Sequence, residues 1–364
     1  MAAALRLAAR GLGRVWPNPA VGCVIVNRDR VVGRGWTQPG GRPHAEAEAL
    51  QRAGDAARDA TAYVTLEPCA HHGKTPPCAD ALVAAGVGRV VIACPDPDPR
   101  VAGKGVAILK AGGIEVVENV MREAAETLNQ GFLMRLTADR PMVTLKIAAS
   151  IDGRVATANG HSHWITAEPA RRLGHLLRAN HDAIAVGSGT VKADNPLLTC
   201  RLHGLEERSP VRVVFDGQLS TPVDSQLVAT SDKIPTWLVT TKAAPKANRK
   251  ALAETDVEFV DVGGHRGGSI DMADALEALA ARDLTRLLVE GGPRLATVFL
   301  KAGLADRVAW FSAPIALGGD ALPALGDLGL DRVDKAFRLI PDETRRIGDD
   351  ILRTAHIVHA ETEE

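Results

Sequence analysis

The stretch AYVTLEPCAHHGKTPPCADALVAA, Ala62–Ala85, decides how the first half of this chain is read. Ala62–Leu66 has the β-branched and aromatic character of a strand. Cys78–Ala85 reads as a helix that begins directly after a proline pair. The loop between them holds Cys69 and Cys78 with two histidines and a lysine in between. A disulfide loop, a closed structural zinc knuckle and part of a catalytic metal site are all compatible with that loop taken alone.

Outward from it, the pattern alternates. Val21–Asn27 and Val31–Trp36 read as a strand hairpin around Arg28-Asp29-Arg30, and His44–Ala53 as a helix. Downstream come a strand at Arg89–Ala93, a helix at Val106–Ala111, a strand at Ile114–Val117 and a long helix at Glu118–Thr137. Strand–helix alternation of this kind predicts a layered α/β domain.

The whole chain has 364 residues, which favours two domains. The break at Asp139-Arg140-Pro141, after a helix and before a new strand, places the boundary, giving domains 1–139 and 140–364. In the second half, strands are predicted at Met142–Ala148, Ala183–Val186, Val211–Phe215, Thr236–Thr240, Glu258–Val260, Arg286–Glu290 and Arg307–Ser312. Helices are predicted at Glu168–Ala179, Met272–Ala281 and Arg294–Ala302. Thr241–Glu254 reads as an exposed helix.

Apolar residues make up 46% and aromatic ones 3%, so the cores are built from Ala, Val, Leu and Ile. The formal charge is −1, which with so few aromatics argues against a nucleic-acid partner. Five cysteines in so long a chain argue against a secreted disulfide scaffold. The opening MAAALRLAARGLG reads as a short amphipathic helix rather than a signal peptide. No run is long and apolar enough to span a membrane. The expected location is the cytoplasm, with no membrane partner.

His44-Ala45-Glu46 opens a helix, Pro68-Cys69 follows a strand, and Cys78 opens the next helix. One histidine and two thiolates make three protein ligands, and a catalytic zinc keeps its fourth position for water. Glu46 could carry protons without ligating. This is the layout of zinc deaminases, H-x-E followed by P-C-x-x-C, in which metal-activated water attacks an amidine-like carbon. Here eight residues separate the cysteines instead of two. Thr75-Pro76-Pro77 would stiffen the return of that longer loop. A structural knuckle with His71 or His72 as fourth ligand stays open at this point. Cys23, Cys94 and Cys200 read as small apolar fillers.

The segments PNPAVGCVIV, HAEAEAL, TLEPCAHHGKTPPC, LKIAASIDGR, WIT, DNPLLTCR and VEGGPRLATVFL, spread from Pro17 to Leu300, together resemble the bifunctional riboflavin-biosynthesis deaminase/reductase family. The resemblance implies a cytidine-deaminase-like α/β/α sandwich followed by a dihydrofolate-reductase-like α/β domain. It implies zinc and NADPH as cofactors and a small phosphorylated pyrimidine as substrate. The first domain would deaminate a diaminopyrimidinone bearing a ribosylamino 5′-phosphate, and the second would reduce the ribosyl chain to ribityl. A homo-oligomer is compatible with all of this. His44, Cys69 and Cys78 would hold zinc, with Glu46 as proton shuttle, and the long cysteine loop is normal for the family. Asn18, His71 and Lys74 match its deaminase substrate positions. Val15-Trp16 departs from its pattern, in which a small polar residue precedes Pro17.

The second half has no G-x-G-x-x-G after a first strand, so a Rossmann site is not supported. Val186–Thr190 is Gly-rich after a strand; a tight turn and a phosphate contact are both compatible with it. Glu290-Gly291-Gly292-Pro293-Arg294 runs from a strand end into a helix, where free N–H groups suit a pyrophosphate and a plain turn is an equal reading. The family resemblance assigns cofactor contacts to Ala148, Trp164, Thr190, Asp194, Ser220, Gly292, Pro293, Arg294, Leu295, Ala296, Thr297 and Val298. It assigns substrate contacts to Ser162, Thr166, Arg178, Leu198, Arg201 and Glu290. Arg178 and Arg201 make physical sense as phosphate clamps. Lys146, on a strand running to the cleft, is the candidate catalytic donor to the ribosyl imine, with Asp152 as its partner or as a turn residue. Two other readings stand beside this one. One is a zinc deaminase of another nucleobase or nucleotide with an inactive accessory C-terminal domain. The other is a zinc-stabilised binding protein.

Overall fold

The computed structural model describes residues 1–71, 76–265 and 268–358. The chain divides into two compact units, Met1–Arg140 and Pro141–Glu364.

The first unit runs α1 (Ala2–Ala8), β1 (Gly22–Asn27), β2 (Arg30–Trp36), α2 (Ala45–Ala53), β3 (Thr61–Val64), α3 (Cys78–Ala84), β4 (Arg89–Ile92), α4 (Lys104–Ala111), β5 (Glu115–Val117) and α5 (Arg122–Thr137). Its sheet has the order β2-β1-β3-β4-β5. β1 is antiparallel to β2 and β3, while β3, β4 and β5 are parallel. Gly22 and Cys23 point to opposite faces of β1, and they sort the helices into two outer layers. A Cβ on Gly22 would lie 2.0 Å from the Ala4 carbonyl oxygen of α1. Gly35, paired with Cys23, faces the other way, and a Cβ there would lie 2.0 Å from the Ala45 carbonyl oxygen of α2. Glycine thus lets α2 lie against the sheet at the end that carries His44 and Glu46. The core between is aliphatic, with Ile25, Val64, Leu82, Val90 and Leu109 all buried.

The second unit runs β6 (Met142–Ser150), β7 (Arg154–Ala156), α6 (Glu168–Ala179), β8 (Ala183–Gly187), α7 (Ser188–Asp194), β9 (Val211–Phe215), α8 (Gln226–Ala229), β10 (Thr236–Thr241), α9 (Lys246–Leu252), β11 (Glu258–Val262), α10 (Met272–Ala280), β12 (Arg286–Val289), α11 (Pro293–Lys301), β13 (Arg307–Ala313), β14 (Leu322–Pro323), β15 (Arg338–Ile347) and β16 (Asp350–Val358). Nine strands form one sheet in the order β11-β10-β9-β8-β12-β6-β13-β16-β15. The seven from β11 to β13 are parallel, and β16 and β15 add an antiparallel edge. Strands buried on both faces explain the continuous Val, Leu and Ile runs. After β6 the chain builds outward from β8 to β11. It then returns β12 into the gap between β8 and β6 and continues to the opposite side. That reversal is where an open α/β sheet places its ligand crevice.

Of the features that differ from the sequence reading, two bear on the second unit's cavity and its surroundings. The Gly-rich run after β8 is not a bare turn, since Ser188–Asp194 is helical. The hairpin β15–β16 has no counterpart in the strands predicted from sequence. Among the described residues no helix is long and apolar enough to cross a membrane.

Candidate active sites

In the first unit the metal trio comes from three element ends. His44 is the residue before α2, in an extended conformation, and Cys78 is the first residue of α3. Cys69 follows β3, where the Cys78 backbone N–H donates to its sulfur at 3.3 Å. His44 Nδ1 lies 3.6 Å from Cys69 Sγ and 3.4 Å from Cys78 Sγ. Tetrahedral zinc, with Zn–N about 2.0–2.1 Å and Zn–S about 2.3 Å, would set N and S about 3.5 Å apart. The three donors therefore fit zinc as they stand. A hydrogen bond from Cys78, and further ones from His44 and the backbone, hold the Cys69 thiol down to about 4 against the effect of burial.

Glu46, the second residue of α2, is 3% exposed and lines the same cavity as His44 and Cys69. Burial, then the neighbouring Cys69 charge, pushes its carboxyl up to about 7. The cavity holds about 150 Å³, and Asn18 and His71 also line it. His71 Nδ1 is buried without a hydrogen-bond partner among the described residues, so it is available to a ligand. Lys74 lies outside the described residues.

Three wall residues escape sequence reading. Asp96 and Asp98, in the loop after β4, line the cavity, and Arg100 forks onto Asp98 at 2.5–3.0 Å. Behind the wall, buried Asn129 of α5 accepts from Ala20 N–H at 2.9 Å and donates to the Ala20 carbonyl at 3.1 Å. That pair seats the segment carrying Asn18. Buried Glu67 accepts the Gly103 and Val106 N–H groups, tying the loop of Cys69 to the start of α4.

The second unit carries a larger cavity, about 580 Å³, at the sheet's reversal. Lys146 and Ala148 of β6, Thr190 and Asp194 of α7, and Glu290-Gly291-Gly292-Pro293 after β12 line it. Ser162, Trp164 and Thr166 come from the strap before α6, and Arg178 from α6 itself. A Cβ on Gly189 would meet no atom within 4 Å, and one on Gly292 would meet only Thr190 Oγ1 at 3.9 Å. Their bare backbones leave room for a bulky cofactor, which fits a dinucleotide lying over α7 and the start of α11.

At the cavity floor Arg178 forks onto Glu290, with Nε and Nη2 donating at 2.8 and 2.9 Å, and its Nη1 donates to the Thr199 carbonyl. Lys146 Nζ stands 3.9 Å from Glu290 and 5.8 Å from the Phe311 ring centre. Burial would raise the Glu290 carboxyl, but Arg178 and Lys146 outweigh it and hold it at about 2.

Comparison with known proteins settles the family. Residues 1–94 match the cytidine and deoxycytidylate deaminase zinc-binding region, and residues 141–353 match the RibD C-terminal domain. The riboflavin biosynthesis protein RibD of Escherichia coli is 42% identical over 99% of this chain and 98% of its own. That of Aquifex aeolicus is 40% identical over 97% of this chain and 96% of its own.

This chain belongs to the RibD family.

Among solved structures, Acinetobacter baumannii RibD superposes with a TM-score of 0.88 at 38% identity, over 98% of both chains. A diaminohydroxyphosphoribosylaminopyrimidine deaminase/5-amino-6-(5-phosphoribosylamino)uracil reductase from Thermotoga maritima gives 0.83 at 35%, over 98% of this chain and 97% of that one. The chain is thus a bifunctional deaminase/reductase of riboflavin biosynthesis. It joins a cytidine-deaminase-like fold to the RibD reductase fold, with zinc and NADPH as cofactors.

Several expected site residues are placed differently from their sequence-based reading. Leu198 is buried, 4% exposed, and is not on the cavity wall. Ser220 also lies off the wall, its hydroxyl donating to Asp216 at 3.1 Å. Arg294, Leu295, Ala296, Thr297 and Val298 belong to α11 beyond its lining end, and Thr297 Oγ1 bonds the Pro293 carbonyl and Gly326 N–H. Arg178 reaches the cavity, but its fork grips Glu290 and so does not stand open as a phosphate clamp. Arg201 lines the cavity. Asp152 is not the partner of Lys146; it accepts from Ser150 Oγ and from the Leu317 and Gly318 N–H groups, anchoring a loop. Trp16 is half-buried beside Pro17, which lines the deaminase cavity. Cys23, Cys94 and Cys200 are buried and free, and are not members of the metal trio.

Proposed function

We propose that residues 1–139 hydrolyse the 2-amino group from a diaminopyrimidinone bearing a ribosylamino 5′-phosphate, and that residues 140–364 reduce its ribosyl chain to ribityl. The observation that carries the first half is the fit of His44, Cys69 and Cys78 to tetrahedral zinc, with Glu46 facing the same cavity. Zinc bound there supplies Lewis acidity toward water. Glu46, held near neutrality by burial, is suited to take a proton from the attacking water and give it to the leaving ammonia. Asn18 can donate and accept along a pyrimidine edge, and the partnerless His71 Nδ1 can hydrogen-bond the substrate. Lys74 is proposed to meet the phosphate.

In the second unit NADPH supplies the hydride. Ala148, Trp164, Thr190, Asp194, Gly292 and Pro293 are proposed to seat it, with the α11 residues Arg294–Val298 behind its phosphates and Ser220 toward its ribose. Ser162, Thr166, Arg201 and Glu290 are proposed to face the substrate, with Leu198 behind them. Lys146 Nζ, beside Glu290, is the donor proposed to hold a proton at the opening ribosyl imine. Arg178 fixes Glu290 in place. The free thiols that form the metal site suit a reducing compartment, in keeping with a cytoplasmic enzyme.

The test is the pure protein with the diaminopyrimidinone ribosyl phosphate, with and without NADPH, and products identified by mass. Glu46→Gln should abolish ammonia release while NADPH is still consumed with deaminated substrate. Persistent ammonia release would remove Glu46 from its role. An absence of NADPH consumption by the wild type would favour the accessory-domain reading.

A further inference from the structure

One peptide group beside the reductase cavity is held from both ends. The Thr166 carbonyl accepts from Arg171 Nη1 at 2.7 Å, and the Ala167 N–H donates to Asp350 Oδ2 at 2.8 Å. A carbonyl and the next N–H belong to one rigid plane, so the two contacts together fix its orientation. Both are charge-assisted, the stronger class of hydrogen bond. Asp350 opens β16 and is 1% exposed, so its carboxylate is itself rigidly placed.

This plane ends the strap Ser162–Thr166, all five of whose residues line the cavity. Trp164 in that strap is 66% exposed, yet its ring is held. The Arg171 guanidinium lies 4.7 Å from its ring centre, and the His163 ring meets it edge-on at 4.7 Å. Arg171 therefore holds a backbone carbonyl and an aromatic face at once. On α6 it shares a side with His175 and Arg178, which also line the cavity.

We propose that Arg171 and Asp350 are positioning residues that clamp the Thr166–Ala167 peptide and so aim the Ser162–Thr166 strap at NADPH and substrate. The inference rests on the reading of this cavity as the NADPH site. Neither residue needs to touch the reacting atoms. Their effect is preorganisation: an exposed indole and a nonhelical strap would otherwise have to be ordered on binding.

The experiment is steady-state reduction of the deaminated pyrimidine ribosyl phosphate by the full chain, with KM for NADPH and kcat measured separately. Arg171→Met should raise KM for NADPH roughly tenfold with a smaller change in kcat. Asp350→Ala should act in the same direction. Asp350→Asn, whose amide oxygen can still accept, should be milder, and Arg171→Lys should restore part of the loss. Because both residues hold one plane, the double variant should lose less than the product of the single factors. Ammonia release by the first unit should stay as in the wild type. A wild-type KM for NADPH in Arg171→Met, or factors that multiply in the double variant, would overturn the clamp. If Arg171→Met or Asp350→Ala does not fold, Arg171→Lys and Asp350→Asn alone and together decide by the same two criteria. A wild type that consumes no NADPH would instead overturn the reading of the cavity.

Discussion

Gly35→Ala should strip the metal site of its fit without touching a ligand. A Cβ at position 35 would sit 2.0 Å from the Ala45 carbonyl oxygen and 2.7 Å from Ala49 N. Carbon and oxygen need more than 3 Å, so something must move by roughly 1 Å, and packed interiors give little. β2 is held by β1 across Gly35–Cys23, so α2 is the element that must recede. Its leading end carries His44 and Glu46. Zinc ligation tolerates about 0.2 Å, far less than that displacement. Overpacking of this kind costs about 1–3 kcal/mol in stability. Metal affinity should fall by at least the 10–100-fold typical of losing an orienting partner. Gly33→Ala offers a graded comparison, because its Cβ would meet the Ala49 carbonyl at 2.2 Å, one turn farther along α2. It should cost similar stability and less zinc. The assay is zinc per chain after a chelator challenge, read beside ammonia release, with NADPH oxidation as the internal control. Gly35→Ala that keeps stoichiometric zinc and wild-type deamination would refute the reasoning, as would Gly33→Ala losing zinc the more readily.

The Glu290 carboxyl is held at about 2 against an ordinary 4.5. Its stabilising contribution, about 3 kcal/mol from that shift, is full above the ordinary value and fades as pH falls through about 2. Glu290→Gln should therefore unfold more easily than wild type at pH 7, and the gap should narrow below pH ~4.5; a gap in urea midpoints that stays constant down to pH ~2.5 would speak against the pair. Asn129→Ala orphans both backbone groups of Ala20, at about 1–3 kcal/mol. It should raise KM for the deaminase substrate several-fold with zinc content unchanged, and an unaltered KM would confine Asn129 to a structural role.

The deaminase centre was legible because its chemistry sits at element ends that local sequence announces. His44, Cys69 and Cys78 fall where a helix starts, a strand has ended and a helix starts, and Glu46 follows at fixed helical spacing. The parallel strands were equally plain, since strands buried on both faces must be continuously apolar. β15 was not, because RLIPDETRRI is an exposed edge strand with a proline and mixed charges, and an edge needs no apolar face. β16 is better marked, with Ala355 and Ile357 buried on one face and Leu352 on the other, and those apolar positions were a usable signal.

Sequence by itself therefore determined the buried parallel strands and which residues can hold zinc, because periodicity and element-end chemistry act over a few residues. Tertiary structure alone decided which charges meet. Arg178 and Glu290 lie 112 residues apart, and only the return of β12 beside β8 turns an expected phosphate clamp into a buried fork. Asp350 reaches Ala167 across 183 residues, from a hairpin whose sequence carries no sign of that contact. Such pairings depend on where the sheet's strand order reverses, and no local run of residues encodes it.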